Sequence, residues 1–381
     1  MKILADQNVM FAREVFAHLG EVQTYAGREL APEDVAEADL LICRSTRRID
    51  ASLLEGSRVR FVATATIGTD HVDQEYLRER GIPFASAAGC NANSVAEYIA
   101  EALLVVAGRG GCELAGRSIG VIGVGNVGSR VVEKAQALGM EVVRNDPPLA
   151  RETGDERYRP LEEALACEFV TVHVPLTREG PDATFRMVNR DFIGAMESGA
   201  ILLNSSRGVV VDEEELEEAL RTGELGAAVL DVWDGEPKIN PALLELAGIA
   251  TPHIAGYSVD GKVAGTQMVY EAACRFLGVA PQCDARSFLP PPAVPELVVG
   301  DGDAPEEIVR RTCLRVYKIE EDDAALRRAL EMDEAERGAH FDSLRRNYHD
   351  RREFHNTALR FEGCPEPARR ALLGLGFRER H

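Results

Sequence analysis

The stretch Ile119-Gly-Val-Ile-Gly123-Val-Gly125-Asn126-Val127-Gly128 constrains the chain most, because a short apolar run leads directly into glycines spaced G-x-G-x-x-G. Glycine motifs of this length also end strands for purely conformational reasons, so the context decides. Here a strand precedes the motif and a helical stretch to about Leu138-Gly139 follows it. In that setting Gly123 permits a tight turn, Gly125 lets backbone approach a pyrophosphate, and Gly128 lets helix pack on strand. The helix N-terminus then offers unpaired N–H groups to phosphate, and Asn126 and Val127 supply two of them. The next strand ends at Asp146. An acid there accepts the ribose hydroxyls of NAD and repels the 2′-phosphate of NADP, so the expected cofactor is NAD.

The remaining sequence alternates short Val/Ile-rich runs with helical stretches, the pattern of parallel sheets covered on both faces. Ile3–Leu4, Leu40–Cys43, Phe61–Ala65 and Pro83–Ser86 form one strand set. Ile119–Ile122, Glu141–Arg144, Phe169–Val174, Ile201–Asn204, Ala228–Val232 and Ile249–Ala250 form a second. Between the sets, Ser94-Val-Ala-Glu97 reads as a Ser-x-x-Glu capping box opening an apolar helix to about Ala107. Prolines at 281, 290, 291, 292 and 295 mark a linker, and helical stretches follow it. The expected fold is α/β: two doubly wound Rossmann-like parallel-sheet domains plus a smaller C-terminal α+β domain. The boundaries are 1–95 for the first domain, completed by 256–280, then 96–255 for the dinucleotide domain, 281–295 for the linker and 296–381 for the tail.

Charge and cysteine usage remove whole classes of function. The chain carries 63 acidic and 43 basic residues, a formal net charge of −20. Only −3 of that lies beyond residue 295, so the acid belongs to the body. Such a surface repels nucleic acid and anionic membranes. No apolar run approaches the ~18 residues needed to span a bilayer, and MKILADQNV has no secretory core. Eight scattered cysteines without a C-x-x-C pair argue against zinc clusters and disulfide frameworks, and suit reduced thiols in a cytoplasm. Asp70-His71 and Asp73 could ligate a metal but read more simply as a strand-to-helix turn, so no metal is expected.

Three segments end strands of the second set, where open α/β sheets bind ligands. They are Ser205-Ser206-Arg207-Gly208, Asp231-Val-Trp-Asp-Gly-Glu236-Pro237 and Thr251-Pro-His253-Ile-Ala-Gly256. Oxidising a 2-hydroxy acid requires an arginine to clamp carboxylate, a histidine to take the hydroxyl proton, and a carboxylate to fix that histidine's tautomer. Singly, each of these residues could be an ordinary surface or turn residue. Together, after a dinucleotide fingerprint, they form a candidate catalytic set of Arg207, Glu236 and His253.

These segments, with the glycine motif, resemble the D-isomer-specific 2-hydroxyacid dehydrogenase family across roughly residues 1–280. The resemblance implies Arg207 for substrate orientation, Glu236 as partner and His253 as proton acceptor. It also implies a cofactor role for Ser205, Ser206, Asp231 and Gly256, with Asp231 beside the nicotinamide. In the first domain, hydroxyls after strands flanked by Arg44, Arg47 and Arg48 can hold a phosphate or carboxylate. Arg44-Ser45, Thr64-Ala-Thr66 and His253-Ile-Ala-Gly-Tyr257 resemble the branch of that family acting on a phosphorylated hydroxy acid, which implies Ser45, Thr66 and Tyr257 as substrate residues. That branch carries a C-terminal dimerisation domain, so a homodimer is expected. The alternatives are another substrate such as 3-phosphoglycerate, or an NAD-sensing scaffold without catalysis, against which the intact Arg207, Glu236 and His253 set argues.

Overall fold

The computed structural model describes residues 1–380. The chain divides into two compact units, Met1–Ala92 with Tyr257–Pro291, and Asn93–Gly256 with Pro292–His381. The first holds a parallel sheet of β1 (Lys2–Asp6), β2 (Glu21–Tyr25), β3 (Leu40–Cys43), β4 (Phe61–Thr64) and β5 (Phe84–Ser86), in the order β2-β1-β3-β4-β5. β3 and β4 are buried along their whole length, as strands covered on both faces must be. β2, EVQTY, is the strand that the apolar pattern misses: it is a sheet edge and alternates exposed with half-buried positions. The helix Val259–Leu277 returns to this unit and places Val263, Val269, Tyr270 and Ala273 in one core with Ile3, Leu40 and Phe61.

The second unit carries β6 (Ser118–Ile122), β7 (Glu141–Asn145), β8 (Phe169–Val172), β9 (Ile201–Asn204), β10 (Ala227–Leu230) and β11 (Ile249–Ala250), in the order β11-β10-β9-β8-β6-β7. All pairs are parallel, so every strand delivers its C-terminal end to one edge. The tail adds a small parallel sheet of β12 (Glu296–Val299), β13 (Ala358–Phe361) and β14 (Arg378–Glu379). Parallel pairing needs crossovers, supplied by the helices Pro305–Leu314, Ile319–Arg327 and Glu334–Arg346 between β12 and β13, and by Glu366–Gly374 before β14.

The tail shares the second unit's core rather than standing apart: Leu326, Ala329 and Phe341 pack in one cluster with Ile239, Leu243 and Leu244. Lys134 donates to Leu375 O at 2.8 Å. The proline-rich stretch is strapped to the first unit, where Tyr270 Oη accepts from the Gln282 and Cys283 amides at 2.7 and 3.1 Å. It includes a 3-10 turn at Ala285–Phe288. No helix among the described residues is long and apolar enough to cross a membrane.

The capping-box expectation fails. The helix runs from Ala92 to Gly110, so Ser94 lies within its first turn. The Ser94 hydroxyl donates to Glu353 at 2.7 Å, and Glu97 accepts from Asn93 Nδ2 at 2.9 Å and from the Phe354 amide at 3.0 Å. Both polar residues serve contacts about 260 positions away in sequence. A local motif cannot report such partners.

Candidate active site

In the second unit, the glycines behave as a dinucleotide turn requires. Gly123 has φ of +82°, and a Cβ there would lie 2.9 Å from the His173 carbonyl. A Cβ on Gly128 would sit 1.9 Å from Gly123 O, while one on Gly125 would meet nothing within 4 Å. The chain is therefore tight where strand meets helix and open where a pyrophosphate must approach. Asn126 and Val127 open the helix Asn126–Ala137. Asp146 accepts from the Val124 amide at 2.8 Å and from the Leu149 amide at 3.0 Å, capping the next helix. Each oxygen keeps a lone pair for a hydroxyl. These residues fit NAD: an open backbone turn at a helix N-terminus and an anchored acid at the neighbouring strand end.

Arg207, Glu236 and His253 follow β9, β10 and β11, three adjacent strands. Gly208 lies directly on the next loop, since a Cβ there would fall 1.9 Å from the Trp233 carbonyl carbon. Asn204 organises the Arg207 turn: its amide accepts from the Ser206 amide at 3.0 Å and the Ser206 hydroxyl at 2.8 Å, and donates to Arg207 O at 3.0 Å. The Ser206 hydroxyl is thus committed within the turn. Arg207 Nη1 donates to Ser206 O at 2.8 Å. Ser205 Oγ lies 3.5 Å from His173 Nδ1, whose other ring nitrogen is 2.9 Å from Thr171 Oγ1. Burial pushes the His173 imidazole down to about 3, so it stays neutral. Sequence reasoning missed His173; its signal is the position, directly after β8 and beside the glycine turn.

Glu236 Oε2 is 2.8 Å from His253 Nδ1, and Glu236 Oε1 accepts from the Trp233 amide at 2.9 Å. Burial pushes the Glu236 carboxyl up, but the facing imidazole and these hydrogen bonds outweigh it and hold the group below the usual carboxylate range. An ionised Glu236 sets Nδ1 as the protonated nitrogen and leaves Nε2 as the base. His253 has φ of +56°, a left-handed conformation rare for a residue with a Cβ. Asp231 enforces it. Only 1% exposed, its carboxylate accepts from Thr251 Oγ1 at 2.7 Å and from the Ile254 and Ala255 amides at 2.8 and 3.0 Å. The Asp231 carbonyl accepts from the His253 amide at 2.7 Å. Burial raises the Asp231 carboxyl above its ordinary value despite the nearby imidazole and these donors. Charge-assisted bonds of this kind contribute about 1.5–3 kcal/mol each, enough to hold a strained turn. Gly256 ends the first of this unit's two chain segments.

In the first unit, Ser45 and Thr66 each lie two residues beyond the paired positions Cys43 and Thr64 of β3 and β4, so they occupy neighbouring strand ends. Ser45 is exposed. Thr66 Oγ1 is 2.7 Å from Thr64 Oγ1, which is 3.2 Å from His71 Nε2. Thr66 Oγ1 also reaches Gly68 O at 3.3 Å. Burial lowers the His71 imidazole pKa, with Asp70 opposing. Tyr257 carries Lys262 Nζ 4.7 Å from its ring centre.

Residues 93–255 match the NAD binding domain of the D-isomer specific 2-hydroxyacid dehydrogenases, and 288–376 match a domain described only as of unknown function. The erythronate-4-phosphate dehydrogenase of Azotobacter vinelandii is 45% identical, over 99% of each chain. That of Marinobacter nauticus is 42% identical, again over 99% of each. This chain belongs to that family, within the NAD-dependent 2-hydroxyacid dehydrogenases. Among solved structures, the NAD⁺-bound 3-phosphoglycerate dehydrogenase of Entamoeba histolytica superposes with a TM-score of 0.62 at 27% identity, covering 76% of this chain and 99% of that one.

Proposed function

We propose that the chain oxidises 4-phospho-D-erythronate to 2-oxo-3-hydroxy-4-phosphobutanoate, a step of pyridoxal 5′-phosphate (vitamin B6) biosynthesis. The single observation that carries the reading is the Glu236–His253 pair, 2.8 Å apart at a strand end flanked by the Arg207 turn. The family membership supplies the substrate, through relatives named for it.

In this scheme the Arg207 guanidinium pairs with the substrate carboxylate and polarises the C2 oxygen. His253 Nε2 takes the C2 hydroxyl proton, and Glu236 stabilises the imidazolium that forms. NAD, when bound, accepts the hydride that leaves C2, so the alcohol loses two electrons and becomes a ketone. Asp146 accepts the ribose hydroxyls, the amides at Asn126 and Val127 face phosphate, and Ser205, Asp231 and Gly256 line the cofactor. Ser45, Thr66 and Tyr257 receive the substrate's anionic ends. None of the eight cysteines forms a disulfide among the described residues, which suits a reducing cytoplasm. The tail carries a homodimer contact, supported by Val298, 49% exposed on the edge strand β12; a Val298→Lys chain that remains a dimer by light scattering would contradict it.

The test supplies 4-phosphoerythronate or 3-phosphoglycerate with NAD⁺, plus a 2-oxo acid in parallel reactions to reoxidise bound NADH. Absorbance at 340 nm and product are followed. The reading expects kcat/KM at least 100-fold higher for the four-carbon acid, a gap within the reach of a pocket's polar contacts. Equal values, or preference for the three-carbon acid, would overturn it.

A further inference from the structure

The chain passes between its two units three times, after Ala92, after Gly256 and after Pro291. One short stretch of the tail reaches the residues beside the first two crossings. Glu353, 6% exposed, accepts from Asn93 Nδ2 at 2.6 Å and from Ser94 Oγ at 2.7 Å. Arg351, 2% exposed, donates to Ser94 O at 2.5 Å and to Ala255 O at 3.3 Å. Its guanidinium lies 4.0 Å from the centre of the Tyr317 ring. The Phe354 amide closes the set on Glu97. Three residues within a span of four thus tie the start of one crossover to the end of the other.

Holding a tail onto a body does not require this. Buried charges lose so much hydration that apolar side chains of similar volume do the same work as well or better. The tail already has an apolar contact, through Leu326, Ala329 and Phe341. What the charged groups add is direction, since they grip particular carbonyls and side chains at the crossings. Relative motion is the default for two units joined by short crossovers, and such hinges move kcat and KM together when altered. The grip on Ala255 also touches the reacting turn: the Ala255 amide shares the Asp231 carboxylate with Ile254, next to His253.

We infer that Arg351 and Glu353 form a clamp on the first two crossovers, by which the C-terminal segment sets the hinge there and holds the His253 turn. They are positioning residues, acting through Ser94 and Ala255. The kinetic part of the inference rests on the dehydrogenase reading; the hinge part does not.

The test uses the full chain with Glu353→Gln and Arg351→Lys, which keep size and, for the lysine, charge. Ser94→Ala removes only the hydroxyl contact and serves if either variant fails to fold. Hydrogen exchange is followed at peptides covering 92–97 and 254–258, with β6 to β10 as internal reference, together with NAD affinity and steady-state oxidation. The clamp predicts exchange at least tenfold faster at both crossovers with the reference strands unchanged. It also predicts NAD affinity within twofold, and kcat and KM altered together, kcat by about fivefold or more. Unchanged exchange at either crossover would overturn it, as would faster exchange accompanied by wild-type kcat and KM, which is the signature of a merely adhesive tail. Were the wild-type chain to oxidise no hydroxy acid at all, the dehydrogenase reading would fall while the exchange result still decided the clamp.

Discussion

The strand ends of the two units are built in different ways. In the second unit, the groups around His253 are committed: half-buried Glu236 to two partners, buried Asp231 to three, and the backbone of His253 to a left-handed turn. In the first unit, Ser45 is exposed and Thr66 sits on a short hydroxyl chain through Thr64 to His71. A committed carboxylate–imidazole pair lowers a barrier because nothing reorganises during reaction. Hydroxyls that can donate or accept adapt to whichever anion arrives. Under the proposed function, chemistry belongs to the second unit and selection of the acid to the first.

The comparison breaks first at His253. His253→Ala should lower kcat about 10²–10⁴-fold, the usual range for a general base, while NAD affinity measured by fluorescence titration stays within about twofold. Next comes Glu236→Gln, expected to lower kcat about tenfold or more. Glu236 is held ionised, so the glutamine removes a charge as well as an acceptor. A variant with wild-type kcat would contradict the pairing. On the other side of the comparison, Thr66→Val removes one hydroxyl, worth about 1 kcal/mol. It should raise KM for the acid roughly five- to tenfold with kcat nearly unchanged; a kcat loss without a KM change would mean that the first unit takes part in the chemistry.

Most of this arrangement is legible in the sequence. Unalternated apolar runs locate ten of the parallel strands of the two units, within a residue or two, because doubly covered strands carry no polar face. The glycine motif and the Arg207, Glu236 and His253 segments are local, so spacing reveals them. β2 escapes because an edge strand spends its side chains on solvent. Ser94 and Glu97 mislead because a capping box is a local signal, whereas their partners Glu353 and Phe354 arrive from the far end of the chain. Arg351 reads as one charge in a run of charges, and only burial distinguishes it.

The smallest expected effect concerns stability. Burial holds His173 neutral to about pH 3, whereas the unfolded chain protonates it near its ordinary value. Between those values the unfolded state binds the extra proton, so this residue makes the fold more stable as pH rises through that window and less stable as it falls. His173→Asn should therefore flatten the decline of Tm between pH 6.5 and 4, by a few degrees in differential scanning fluorimetry.

The most direct test of the central assignment is the pH dependence of kcat/KM for oxidation of 4-phosphoerythronate, measured side by side for the wild type and His253→Ala. Proton removal by a carboxylate-backed imidazole predicts a wild-type rate that climbs with pH through one ionisation, and a small residual rate in the variant that lacks that climb. A variant retaining the wild-type rate and the same rise would contradict it.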